Sequence, residues 1–206
     1  MVSVGGIVLC GGQSTRMGQP KAWLPFAGEL MLPRVVRLLR QVVEPVVVVA
    51  APGQDVPPLP SEVAVVRDEQ QGRGPLQGLA AGLHALAGRA EAAYLSSCDV
   101  PLLRPAFVRR LCALLDEYAI CVPKVGGYHH PLAAVYRLEV VTAVERLLAA
   151  DRLRPFFLFE AVPTRLVEAS ELADVDPSLE SLRNLNTPED YQAALREIAA
   201  PGKESA

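Results

Sequence analysis

The chain of 206 residues lacks an excess of positive charge. It carries 20 lysines and arginines against 23 aspartates and glutamates, for a formal net charge of −3. Proteins that bind nucleic acid usually display a basic face, so this balance argues against a nucleic-acid partner. A polyanionic substrate would have to be held by local groups instead: a few placed cations, helix N-termini or a metal ion.

Long apolar runs and paired cysteines are also missing. No apolar stretch approaches 18 residues, and residues 1–10 contain no basic segment of the kind that opens a signal peptide. We therefore expect no membrane partner and a cytoplasmic location. No two cysteines form a C-x-x-C pair, and each lies in or beside an apolar run, which indicates reduced, mostly buried thiols and argues against a zinc site. The four are Cys10, Cys98, Cys112 and Cys121.

Apolar segments of two kinds alternate along the chain, and half of all residues are hydrophobic. The pattern predicts an α/β, Rossmann-like fold: a mostly parallel central sheet with helices on both faces and a small antiparallel insertion. We expect one domain over residues 1–200 and a disordered tail at 201–206. Strands are predicted at 2–10, 45–51, 62–67, 92–97, 119–123, 132–136 and 163–168. Helices are predicted at 29–43, 75–86, 106–118 and 138–150, with a short one within 155–185 and a last one from Pro188, capped by Thr187.

Ligands bind such sheets at the carboxyl ends of the strands, which ranks the loops 10–21, 51–55, 68–75 and 98–101 as candidate sites. The first loop combines Gly11-Gly12 with Arg16 and Lys21. Adjacent glycines let the backbone approach a ligand, and the two cations supply charge for phosphate oxygens. The loop is neither a Walker A loop nor G-x-G-x-x-G. A tight turn with two solvated cations is the simpler alternative, but two cations at a strand end favour phosphate binding.

Two carboxylates also follow predicted strands. Asp99 comes just after strand 92–97, where a carboxylate is a natural Mg²⁺ ligand, since this ion takes few protein oxygens plus phosphate and water. A turn or helix-capping aspartate is the alternative. Asp68 ends strand 62–67, and a solvent-exposed turn carboxylate is its alternative.

The first loop reads L-x-G-G-x-S-x-R-M-G-x-x-K and resembles the signature of the pyrophosphorylase-type nucleotidyltransferases. Within that superfamily the chain looks most like the molybdenum cofactor guanylyltransferases, because later segments match that family in order. These segments are Gly74-Pro75-Leu76-Gln77-Gly78-Leu79, Cys98-Asp99-Val100-Pro101, His130-Pro131-Leu132 and Asn184-Leu185-Asn186-Thr187-Pro188-Glu189-Asp190.

The resemblance implies that GMP passes from GTP to molybdenum-loaded molybdopterin, or to another phosphorylated acceptor, with Mg²⁺ as cofactor and pyrophosphate as the second product. It also implies contact with cofactor-delivery proteins or target molybdoenzymes. The expected catalytic residues are Arg16, Lys21 and Asp99, of which Asp99 is the metal ligand. The expected nucleotide-binding residues are Leu9, Cys10, Gly11, Gly12, Lys21, Asp68, Gly74, Gly78 and Asp99. The expected acceptor-binding residues are His130, Asn184 and Asn186.

Alternatives remain both for the roles of single residues and for the reaction as a whole. Gly78 has a packing role as its alternative, His130 a structural one, and Asn184 and Asn186 a role in a turn. Ala51-Pro52 stand where the family often has asparagine, and Pro20 where it frequently has aspartate, which weakens the choice of guanine more than the reaction type. A CTP-dependent pterin cytidylyltransferase or a sugar- or polyol-phosphate nucleotidyltransferase of the same fold stays open, as does a non-catalytic nucleotide-binding regulator.

Overall fold

Apolar strands that are buried on both faces form the centre of the protein, whose computed structural model describes residues 2–11, 19–68 and 72–199. All five residues of the strand Val46–Ala50 are buried, as are all six of Ala92–Ser97. The strands are β1 (Val4–Leu9), β2 (Pro25–Phe26), β3 (Glu29–Leu30), β4 (Val46–Ala50), β5 (Ala64–Arg67), β6 (Ala92–Ser97), β7 (Ile120–Val125), β8 (Tyr128–His129), β9 (Ala134–Arg137) and β10 (Thr164–Glu168). The helices are α1 (Met31–Leu39), α2 (Pro75–Leu86), α3 (Pro105–Leu114), α4 (Val141–Ala149), α5 (Phe156–Ala161) and α6 (Pro188–Ala199).

The main sheet has the strand order β10-β7-β9-β6-β1-β4-β5, with β8 paired to β7. Neighbouring strands are parallel from β6 to β5 and between β7 and β10, whereas β9 runs antiparallel to both β6 and β7. A separate antiparallel pair joins β2 to β3. The predicted fold class is confirmed: the sheet is mixed but mostly parallel, with helices against it and small antiparallel additions.

Successive side chains along each strand point to opposite faces of the sheet, so an apolar layer lies on each face. Val8, Val48 and Tyr94 pack in one layer with α1 and α3. Ile7 and Leu95 pack in the other with α2, α4 and α5. Among the described residues, no helix has the length and apolar character needed to cross a membrane.

Small residues bring α2 close to β1. A Cβ on Gly82 would lie 2.6 Å from Ile7 Cγ2, and one on Gly78 would lie 2.9 Å from Leu9 Cδ2, distances that real Cβ atoms do not adopt. These two glycines therefore let the helix lie directly on the strand that leads into the first loop.

Several predicted boundaries are wrong, each for a local reason. The helix expected at 29–43 covers only Met31–Leu39, because Glu29-Leu30 pair with Pro25-Phe26 in a hairpin. The helix expected at 106–118 ends at Leu114, and Asp116 has a left-handed φ of 41° that cannot continue it. The strand expected at 132–136 begins only at Ala134, after a 3-10 turn, and a second 3-10 turn precedes α4. The predicted tail, 201–206, lies outside the described residues.

Candidate active site

Asp99 follows β6 at the carboxyl edge of the sheet, and three donors surround its carboxylate. Ser97 Oγ and Asn184 Nδ2 donate to Oδ1 at 2.5 and 2.8 Å, and Lys21 Nζ donates to Oδ2 at 2.7 Å. Asp99 is only 9% exposed. Its main-chain oxygen accepts from Leu185 N at 2.9 Å, so both backbone and side chain are fixed. A carboxylate held in this way offers its second oxygen in a defined direction.

Lys21 lies in a 3-10 turn, Lys21–Trp23, that follows the first loop. Its Nζ donates to Asp99 Oδ2 and to Asn186 Oδ1, both at 2.7 Å. The turn is anchored by buried Ala22 and by the hydrogen bond from Trp23 N to Pro20 O. Pro20 has a φ of −61°, which its ring fixes, so the proline found here in place of the family's frequent aspartate fits the start of the turn.

The segment before α6 brings Asn184 to Asp99 and Asn186 to Lys21. Asn184 Nδ2 also donates to Ser97 Oγ at 3.2 Å, while Leu185, fully buried, anchors the segment between the asparagines. Asn186 N and Thr187 N donate to Asp190 Oδ2, and Asp190 N donates back to Thr187 Oγ1. The predicted Thr187 cap is confirmed, and its hydroxyl, followed by the backbone donors, lowers the pKa of Asp190.

Leu9, Cys10 and Gly11 form the end of β1 beside the ends of β4 and β6. Cys10 N donates to Val49 O at 2.8 Å, and Cys98 N donates to Leu9 O at 3.0 Å. The Cys98 thiol lowers the pKa of the buried Cys10, whereas the Cys10 thiol and burial raise that of Cys98. Gly11 is exposed, and among the described residues a Cβ there would meet Ala51 alone, at ordinary contact distances of 3.6 and 3.8 Å.

Asp68 and Gly74 lie at the same edge, across β4 and β5. Asp68 N donates to Ala50 O at 2.9 Å, directly after β5. Gly74 opens α2 with a φ of 72°, a conformation that favours glycine. Gly78, by contrast, is buried against Leu9, so its packing alternative accounts for the missing side chain. Arg73 is tied to the loop after α4 through Leu148 O and Asp151.

His130 lies at the other side of β6, beyond the Asp99 cluster. It is half-buried, its N–H donates to Pro123 O at 2.9 Å, and burial followed by the His129 charge lowers its pKa. Within the described residues, its side chain hydrogen-bonds to none of Asp99, Asn184 and Asn186. Arg16 and Gly12 fall outside the described residues, so their predicted roles have no geometry here.

Three polar residues of this edge were missed by sequence reasoning. Ser97 could have been found, because residues two apart on an extended chain face the same way and Ser97 precedes Asp99 by two. Gln54 gave no signal, since it lies in a proline-rich loop. Its Nε2 donates to Cys10 O at 2.9 Å and its Oε1 accepts from Ala51 N at 3.0 Å. Arg67 donates to Ala51 O and Gln54 O and holds that loop closed.

No group of three or more His, Cys, Asp and Glu side chains in the described parts of the chain is placed to hold a metal ion. A carboxylate oxygen and an amide oxygen do, however, form a position for a cation. Asp99 Oδ2 and Asn186 Oδ1 both lie 2.7 Å from the same ammonium nitrogen, so two oxygens converge on one positive centre. Mg²⁺ fits such a place, since it takes one or two protein oxygens and completes its shell with phosphate and water.

The site lies where parallel strands end, and it combines a glycine-containing loop with a fixed carboxylate and a lysine. These are the features of a nucleotidyltransferase domain. The family model of the MobA-like NTP transferase domain matches residues 6–164. A protein of Mycobacterium ulcerans (strain Agy99) named "Probable molybdenum cofactor guanylyltransferase" is 36% identical over 200 residues, covering 95% of this chain and 94% of the relative. The chain therefore belongs to the MobA-like NTP transferase family.

Solved structures agree with this fold. Molybdopterin-guanine dinucleotide biosynthesis protein A from Archaeoglobus fulgidus superposes with a TM-score of 0.78 at 21% identity, covering 95% of this chain and 98% of that one. Rv0371C from Mycobacterium tuberculosis H37Rv, in complex with manganese, superposes with a TM-score of 0.66 at 18% identity, covering 94% and 98%. At these identities the structures show a shared fold.

Proposed function

We propose that this protein transfers GMP from GTP to molybdenum-loaded molybdopterin, forming the guanine dinucleotide cofactor and releasing pyrophosphate, with Mg²⁺ as cofactor. The observation that carries the proposal is the cluster at the carboxyl end of β6, where Lys21 and Asn184 donate to Asp99 and Lys21 also donates to Asn186. The names of the relatives support guanine and the pterin as the two substrates.

The site would act by positioning and by charge. Asp99 and Asn186 would hold Mg²⁺, which when bound would neutralise charge on the phosphate oxygens. Lys21 Nζ lies where it can donate to the same phosphates, and Arg16 is the further predicted cation. Ser97 and Asn184 would keep the Asp99 carboxylate oriented, because both donate to the oxygen that Lys21 does not contact.

The nucleotide would lie over the ends of β1, β4 and β5. Among the described residues, Ala51 alone lies within 4 Å of a Cβ on Gly11, which supports close approach of the triphosphate to the backbone of residues 9–12. Asp68 and the start of α2 at Gly74 would contact the nucleoside. Gln54 and Arg67 close the loop at Ala51-Pro52, so they are the polar groups of this chain nearest the family's asparagine.

The reaction does not require a strong general base. A phosphate monoester is anionic at neutral pH, so a terminal phosphate oxygen of the pterin would attack the α-phosphorus of GTP directly. The new bond joins that oxygen to the α-phosphorus, and the bond from the α-phosphorus to the bridging oxygen of the β-phosphate breaks. In-line displacement requires the attacking oxygen and the leaving pyrophosphate on opposite sides, which positioned groups enforce.

The proposal also covers the cell compartment and the protein partners of the reaction. All four cysteines are free, which supports a reducing compartment such as the cytoplasm. Because the product is an enzyme cofactor, the proposal includes transient contact with proteins that deliver the pterin or receive the product.

The test is to incubate the purified protein with Mg²⁺, molybdenum-loaded pterin and each of the four NTPs in turn, measuring pyrophosphate and the mass of the pterin product. We expect pyrophosphate and a guanine dinucleotide with GTP. A cytosine dinucleotide as the main product would identify a cytidylyltransferase. GTP binding with no pyrophosphate from any NTP would identify a non-catalytic regulator.

A further inference from the structure

Aromatic side chains are scarce in this chain, yet they are concentrated at one place beside the site. Only five residues are phenylalanine, and three of them, Phe156, Phe157 and Phe159, lie in the six-residue helix α5. The His129 ring lies 6.0 Å from the Phe156 ring and 5.4 Å from the Phe159 ring, centroid to centroid. Phe156 is nevertheless 49% exposed. An exposed aromatic group of this kind marks a binding surface more often than an isolated apolar residue does.

The sheet register places this aromatic group next to β6. Lys124 on β7 pairs with Glu168 of β10 on one edge and with His129 of β8 on the other. The second edge is the one that β9 shares with β7, and β9 also pairs with β6. β8 therefore lies beyond β9 toward the carboxyl edge of the sheet, on the side of β7 that faces β6.

The same register gives the height of His129 along the sheet. Val135 of β9 pairs with both Tyr94 of β6 and Cys121 of β7, so these two residues are level. Three residues further on, Lys124 is level with Ser97, and His129 is opposite Lys124. His129 is therefore level with the residue two positions before Asp99.

The aromatic group also faces the side of the sheet on which α2 begins. Ile120 and Val122 pack in the layer of α2, α4 and α5, so Lys124 and its partner His129 face that side too. The loop leading into α5 reaches the start of α2, since a Cβ on Gly74 would lie 3.8 Å from Leu153 O. Gly74 and the aromatic group thus border the same part of the carboxyl edge.

In-line attack fixes which substrate this side receives. The proposed nucleotide loops follow β1, β4 and β5, all on one side of β6 in the strand order. The acceptor oxygen must lie opposite the leaving pyrophosphate, which the proposed function places against the loop after β1. β8 and β9 lie on the other side of β6 from that loop. We propose, on the basis of the proposed function, that His129 and Phe156 form an aromatic platform for the planar pyrimidinone ring of the pterin acceptor. The two rings are tilted 56° to each other, so the ligand stacks on one ring and meets the other edge-on. Neither residue belongs to the acceptor-binding set that the sequence resemblance implies.

The chemistry of the two rings suits that ligand. Flat heteroaromatic rings stack on aromatic side chains with little dependence on their hydrogen-bonding edges. Phe157 has a different partner, because the Arg152 guanidinium lies 3.9 Å from its ring centre. Phe159 supports the His129 ring from below, and the exposed face of Phe156 is available to a ligand.

The test separates stacking from packing with paired variants. His129→Ala and Phe156→Leu remove an aromatic ring, whereas His129→Phe and Phe156→Tyr retain one. Leu166→Ala is the matched control, because Leu166 is an exposed apolar residue on the far edge strand β10, 40% exposed and paired with Val122. Two measurements are made: KM for each substrate, and binding of a fluorescent oxidised pterin without GTP.

We expect His129→Ala and Phe156→Leu to raise KM for the pterin about tenfold and to weaken pterin binding equally, with KM for GTP unchanged. The aromatic replacements and Leu166→Ala should behave like the wild type. The platform is overturned if the ring-removing variants keep wild-type pterin binding, or if the aromatic replacements lose as much as they do. A wild-type protein that binds pterin on these rings but makes no dinucleotide would contradict the proposed function alone. A wild-type protein that binds no pterin would overturn both.

Discussion

Lys21 Nζ lies 2.7 Å from Asp99 Oδ2, although 78 residues separate the two along the chain. Asp99 is fixed by the end of β6, and Lys21 by a turn that follows β1, the strand beside it. Both side chains are largely buried, with 15% and 12% of their surface exposed. An ion pair in such surroundings is screened less by salt than a surface pair and keeps a defined geometry. The pair therefore joins the end of the first loop to the proposed metal ligand.

Asp99→Asn should abolish most of the activity while leaving the fold intact. The amide has nearly the shape of the carboxylate, but it lacks the charge that would hold a divalent cation. We expect kcat to fall by about three orders of magnitude, since each ~1.4 kcal/mol of lost transition-state stabilisation slows the reaction tenfold. Circular dichroism of the variant should match the wild type. Turnover within a factor of about three of the wild type would remove Asp99 from the site.

Lys21→Ala should weaken GTP binding and slow the chemical step, because it removes the described cation nearest to Asp99. Lys21→Arg should restore only part of the activity, since a planar fork does not replace a compact ammonium. Arg40→Ala serves as the control, because it removes an exposed surface pair with Glu62. Equal GTP affinity and rate in Lys21→Ala and Arg40→Ala would assign Lys21 to the surface.

Asn184→Ala tests whether orientation of the carboxylate matters. Asn184 Nδ2 donates to the Asp99 oxygen that Lys21 does not contact, so its loss leaves that oxygen to Ser97 alone and loosens the orientation of the carboxylate. Loss of a group that orients a metal ligand typically costs 10- to 100-fold, and we expect that reduction in kcat together with a higher Mg²⁺ requirement. A Mg²⁺ titration of activity measures both. A normal rate at the wild-type Mg²⁺ optimum would reduce Asn184 to a turn residue.

Two glycine substitutions should give opposite results. Gly11→Ala would meet only Ala51 among the described residues, at ordinary contact distances, so we expect a normal melting temperature but weaker GTP binding. Gly78→Ala would place a Cβ 2.9 Å from Leu9 Cδ2, so we expect a loss of about 1–3 kcal/mol in unfolding free energy. Gly82→Ala, which meets Ile7, should resemble Gly78→Ala. Thermal melts and GTP titrations of the three variants decide between a packing role and a ligand role for Gly78.

The sequence predicts single elements well where local chemistry determines them. α2 and β6 have the predicted bounds, because a proline opens α2 and an apolar run at 92–95 opens β6. The helix around Met31 was predicted too long, because the pairing of Glu29-Leu30 with Pro25-Phe26 is a tertiary event without a helix-breaking residue at that point. Periodicity also could not place β9 between β6 and β7 in the sheet.

The same distinction applies to the site: residues in local motifs were predicted, and residues whose place depends on strand alignment were not. Motif spacing and resemblance named Lys21, Asp99, Asn184 and Asn186, and the structure brings these four together. Their individual roles remain predictions. Gln54 was not foreseen, since a side chain that satisfies the backbone of two neighbouring strand ends depends on the register of β1 and β4. Such partners depend on how the strands align, which the local sequence does not encode.

The most direct test of the account is kcat/KM for GTP and for CTP at saturating molybdenum-loaded pterin and Mg²⁺. The residues of the Gly11-Gly12 pair carry no side chains, so we expect the loop to leave room for a purine. The alanine at position 51 removes one hydrogen-bonding group, and a pocket that selects by room alone discriminates by only ~1–3 kcal/mol. We therefore predict a preference for GTP of about 10- to 100-fold. Equal values, or a preference for CTP, would contradict guanylyl transfer while leaving nucleotidyl transfer in place.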